Sequence, residues 1–185
     1  MDIGVVTAIV VIAVLLVVLA LLLSRRRRTD RLKGQFGPEY ERTVARAGGQ
    51  RDAESELAAR ERRRRDLDIV DLEPAAQERY RQEWRATQNM FVDDPAAATR
   101  EADGLVIRVM RDRGYPMDDF DQRAADISVD HPQVAENYRV AHAMVQANES
   151  GLASTDDLRQ AFVYYRSLFA QLLDIDRDDQ EEAHR

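Results

Sequence analysis

Asp118, Asp119, Asp121, Asp126 and Asp130 form the densest acidic stretch of the chain. Paired carboxylates can divide acid and base work or hold a cation, provided the fold turns them toward one point. The same residue type also starts helices, because an Asp at an N-cap accepts from the first free backbone amides. Capping accounts for Asp118 or Asp119 and extends to Asp130. No activated nucleophile or positioned base can be named from spacing, so no catalytic residue is expected.

Asp174, Asp176 and Asp178 alternate as D-x-D-x-D, the opening of an EF-hand loop. That loop needs glycine at its sixth position and a bidentate glutamate at its twelfth, where this chain has Asp179 and Arg185. His131 and His142 are separated by about three helical turns, roughly 16 Å, too far to share one metal. Cysteine is absent, and no P-loop, G-x-G-x-x-G, G-x-S-x-G or H-E-x-x-H occurs. No metal and no cofactor are therefore expected.

The cations fall in two runs, Arg25, Arg26, Arg27, Arg28, Arg31 and Lys33, and then Arg62, Arg63, Arg64 and Arg65. The first follows Ile3–Leu23, IGVVTAIVVIAVLLVVLALLL, which contains no charge. At about 1.5 Å per residue this run covers roughly 30 Å, the hydrocarbon thickness of a bilayer, and a lone spanning segment must be helical to satisfy its own backbone. A cleavable signal would need a basic leader, a shorter apolar stretch and a small-residue cleavage site, and none is visible. The basic flank follows the span, which by the positive-inside bias places the N-terminus outside and residues 24–185 in the cytoplasm of a single-pass plasma-membrane protein. Topology alone explains the first Arg run, and anionic-lipid binding is its second reading. For Arg62 to Arg65, charge complementing a helix C-terminus competes with binding lipid or an acidic partner.

Charge is split along the chain. Residues 24–65 hold 14 basic and 7 acidic side chains, whereas residues 66–185 hold 13 and 26. An acidic distal domain repels phosphate backbones, which excludes nucleic acid as its partner.

Several elements must position these groups. Pro38 opens a short helix to about Ala47, after a break at Gly34–Pro38; Phe36 and Tyr40 belong either to the membrane interface or to packing on the next helix. Residues 50–66 are strong helix formers with little to bury, a solvated stalk or one arm of a hairpin, supported by pairs such as Glu56 with Arg60. Pro74 opens a helix bearing Tyr80, Trp84, Thr87 and Phe91 on one face. Asp94 and Pro95 start the next, with Ala98, Ala102, Leu105, Val106, Val109 and Met110 in a stripe that stops at Gly114. Shorter patterns follow from Asp118 and His131. Ser154 with Asp157 reads as a capping box before a helix with a broad apolar face, suited to the centre of a bundle.

The strings FGPEYERTV, FVDDP, RGYP and RAADISVDHP resemble a family of small actinobacterial proteins with one N-terminal span and no assigned activity. The resemblance covers most of residues 36–173 and implies a membrane location without a mechanism.

The expected fold is all-α: a transmembrane helix in residues 1–24, a basic flank and helical stalk in 25–71, a bundle of about four to five helices in 72–174, and an acidic disordered tail in 175–185. The expected role is an adaptor that meets the bilayer and a protein partner without catalysis, with Arg62–Arg65, Asp118, Asp119 and Asp121 as candidate interaction surface. A ligand-binding or enzymatic bundle using Asp118–Asp130, or a secreted helical domain, is the alternative.

Overall fold

A computed structural model describes residues 3–173, the side chains of residues 3, 5–10 and 14 excepted. The expected Asp174–Asp178 run and the acidic tail lie outside the described residues. Among those described, every regular element is an α-helix: α1 (Ile3–Phe36), α2 (Pro38–Ala47), α3 (Gln50–Asp66), α4 (Pro74–Asp93), α5 (Pro95–Asp112), α6 (Phe120–Asp130), α7 (Pro132–Glu149) and α8 (Thr155–Leu172). The chain divides into two compact units, Met1–Leu57 and Ala58–Arg185.

In the first unit α1 continues through Gly34 and the break falls at Gly37, whose φ of 48° a side chain would oppose. Leu32, Phe36, Tyr40, Ala53 and Leu57 are buried, so Phe36 and Tyr40 take the packing role rather than the interfacial one. Toward the N-terminus the helix is different. Val11, Ile12, Leu15, Leu16, Val17, Val18, Leu19, Leu21, Leu22 and Leu23 all stand exposed. Among the described residues no helix is long and apolar enough to cross a membrane; residues 3, 5–10 and 14, whose side chains lie outside that set, belong to the same apolar run of α1.

α3 is not the solvated rod that its composition suggests. Ala53, Leu57, Arg60 and Glu61 are all buried on it, because long charged side chains cover apolar surface with their stems while their heads find partners. Glu56 pairs with Arg46 of α2 in the first unit.

The second unit is a bundle of α4 to α8, with α8 packed on both α5 and α7, α4 on α5 and α6 on α7. α8 holds the central place that its apolar face predicts. Its start is a reciprocal capping box: Asp157 N–H donates to Ser154 Oγ at 3.2 Å and Ser154 N–H donates to Asp157 Oδ2 at 2.8 Å. The α5 stripe is fully buried, and Asp94 caps that helix by accepting from the Ala97 amide at 2.9 Å. Trp84 of α4 stacks on Phe162 and Phe169 of α8, with ring centroids 5.1 and 4.8 Å away.

α5 ends in a Schellman turn. The Tyr115 amide donates to Met110 O, the Gly114 amide to Arg111 O, and Gly114 takes φ 92°. Here the connection from α3 to α4 is fastened. The Val70 amide donates to Arg113 O at 2.9 Å, and the buried Arg113 guanidinium donates to Val70 O, to Asp71 Oδ1 and, at 2.7 Å, to Leu172 O at the end of α8.

Candidate functional site

The two runs that the sequence marks as an interaction surface meet within the second unit. Asp119 is the α6 cap, accepting from the Gln122 amide at 2.9 Å, which leaves its neighbours free for other work. Arg63 Nε donates to Asp126 Oδ1 at 3.1 Å while its other arm reaches Asp118. Arg64 pairs with Asp130, and Arg60 donates to Ser128 Oγ at 3.1 Å. Asp130 thus serves an ion pair, and His131 begins α7 without a side-chain cap. Arg62, Arg65 and Asp121 are exposed.

This arrangement sets Asp118 and Asp126 against Arg63, and Asp130 against Arg64. Asp126 is 2 % exposed, and a carboxylate that deep is retained only with a partner such as Arg63. Its Oδ1 also accepts from Gln122, whereas Oδ2 is buried without a hydrogen bond. Among the described residues no group of three or more His, Asp or Glu is placed to hold a metal.

A second polar group, absent from the sequence reading, lies among α5, α6, α7 and α8. Asp103 Oδ1, Arg123 Nε, Tyr138 OH, His142 Nδ1 and Tyr165 OH are each buried without a hydrogen-bond partner among the described residues. Phe120 lies against two of them, stacked on His142 at 3.8 Å and tilted against Tyr138 at 4.8 Å. Burial raises the Asp103 carboxyl above its ordinary value, opposed by His142, Tyr165 and Arg123. Burial, then the Asp103 charge, pushes Tyr138 up to about 12, and the same two causes raise Tyr165 further. The arrangement keeps both phenols protonated and holds a carboxyl that gives up its proton reluctantly. One sequence signal was available: Asp103-Gly104 interrupts α5 between the buried Ala102 and Leu105, where neither residue favours a helix.

The raised Asp103 makes stability pH-dependent with a definite sign. Just above the ordinary value of 3.8 the unfolded chain has released this proton while the folded chain retains it, so stability falls as pH rises through that interval and stays lowered above it. Asp103→Asn has no proton to release. Its urea midpoint is expected to equal that of the wild type near pH 3 and to exceed it at about pH 7. Parallel profiles for the two proteins would rule this out.

A third feature belongs to the first unit. Arg25, Arg28, Thr29, Gln50, Arg51, Glu54 and Ser55 line a cleft of about 580 Å³. Glu54 is its only carboxylate, and Oε1 accepts from Thr29 at 2.6 Å, Gln50 at 2.8 Å and Tyr40 at 3.1 Å. Although burial acts to raise it, these hydrogen bonds and the Arg28 charge hold the Glu54 carboxyl below its ordinary value.

Comparison with protein-family models, characterised proteins and solved structures finds no match to this chain.

Proposed function

We propose that the chain is a single-pass membrane protein: Ile3–Leu23 crosses the bilayer, Arg25–Arg28, Arg31 and Lys33 hold the following residues in the cytoplasm, and the α4–α8 bundle is a non-catalytic interaction module for a protein partner. The observation that carries this reading is the exposed run Leu15, Leu16, Val17, Val18 and Leu19, in which five consecutive apolar residues cover every side of α1. A helix that is apolar all round is matched by lipid or by the core of a large protein, and water is a poor solvent for it. The change from Leu23 to Arg25 occurs within the same helix, as expected where hydrocarbon gives way to headgroups.

The full chain in its host cell should remain in the membrane pellet after alkaline carbonate washing. A C-terminal epitope should resist protease added to intact cells and be lost on permeabilisation. Recovery in the soluble fraction refutes the anchor, and digestion in intact cells refutes the orientation. The ion pairs of Arg63 and Arg64 leave the bundle's remaining acidic surface as the face for a partner, and a basic protein surface is the complement it fits.

A further inference from the structure

We infer that the Arg25, Arg28, Arg51 cleft binds a phosphomonoester group, supplied by a lipid headgroup of the phosphatidic-acid type. Arg25 and Arg51 make no hydrogen bond or ion pair with any described residue, although both line one cleft. Arg28 spends a single donor on the Glu54 carbonyl, at 3.3 Å, and retains the rest of its fork. The one acidic side chain is already satisfied by three donors through the oxygen it presents to Thr29, Tyr40 and Gln50, so it balances one positive charge and leaves two. A phosphomonoester carries between one and two negative charges near neutral pH and offers three acceptor oxygens, which matches two unspent guanidiniums with the Ser55 hydroxyl beside them. Gln50 and Arg51 also begin α3, where the helix dipole favours an anion.

Position selects the source. Arg25 and Arg28 follow Leu23 by two and five residues on one continuous helix, about 3 and 8 Å along its axis. This step rests on the proposed span, because only an inserted Ile3–Leu23 puts the cleft at headgroup depth. The binding chemistry does not depend on it.

The test is calorimetric titration of the full chain in neutral detergent with short-chain phosphatidic acid, short-chain phosphatidylcholine and inorganic phosphate. Phosphatidic acid should bind and phosphatidylcholine should not. Arg51→Gln should weaken binding about tenfold or more, the loss of a charge-assisted hydrogen bond. Arg85→Gln, which removes an equal charge from an exposed position of α4 outside the cleft, should change it less than about twofold. Equal affinity for inorganic phosphate, with the same sensitivity to Arg51→Gln, would overturn the lipid source and leave a soluble phosphomonoester. Absence of anion binding, or equal losses in both variants, would overturn the site. A chain found soluble after carbonate washing, yet binding phosphate through Arg51, would overturn the membrane reading and with it the lipid source, and support the anion site itself.

Discussion

Replacing Trp84 with alanine is expected to remove about 3–5 kcal/mol from the stability of the Ala58–Arg185 unit. The side chain is 6 % exposed and lies against two phenylalanines of α8, so its loss forfeits both the transfer of a large apolar surface and the contacts around the cavity left behind. Collapse is resisted, because Phe162 is also held by Phe91 at 4.9 Å. Domains of this size are stable by about 5–15 kcal/mol, so about a fifth or more of the margin should disappear. Trp84 is the only tryptophan, so the check is far-ultraviolet circular dichroism of the full chain in detergent against urea. A loss below about 1 kcal/mol would mean that α4 does not depend on α8 in this way.

The second large effect comes from a smaller change. Gly114→Ala should cost about 2–5 kcal/mol, combining the penalty of a Cβ in the left-handed region with an overpacked backbone contact. The added carbon would stand 2.5 Å from the Asp68 carbonyl oxygen, and backbone cannot turn aside as a side chain does. Gly151→Ala separates the two causes: φ is 69° and a Cβ there meets nothing within 4 Å, so only the left-handed penalty of about 1–2 kcal/mol should appear. Trp84 fluorescence follows both unfolding curves. Equal midpoints for the two variants would show that the Asp68 segment yields.

Local signals located most of the helix boundaries. Pro38, Pro74, Asp94 with Pro95, and Ser154 with Asp157 each act within one turn, and each begins a helix where local chemistry places it. The stripe on α5 and the aromatic face of α4 were legible for the same reason, since helical period is a property of neighbours. Partnerships across the fold were not. The intervals from Arg63 to Asp118 and from Arg64 to Asp130 are 55 and 66 residues, and nothing in either run marks the other as its complement. Of the two readings of residues 50–66, solvated stalk or hairpin arm, the first fails on that ground: a helix with few apolar residues still buries Arg60 when its partner, Ser128, lies 68 residues on. Asp103 escaped notice because a single acidic residue beside an apolar stripe looks like its solvent edge. The cleft at Arg25, Arg28 and Arg51 joins residues that the sequence assigns to separate elements.

The clamp at Arg113 also has a consequence in time. Its donors are divided between Val70 and Asp71, made earlier, and Leu172, 59 residues later. On a ribosome Arg113 emerges well before its last acceptor, so the bond from Nη1 to Leu172 O waits until the end of α8 is released. The early helices can form as they appear, but closure of the bundle waits for the final segment. Chains that end before Leu172 should therefore keep the Val70 and Asp71 bonds at the α5 terminus and lack the one that ties it to α8.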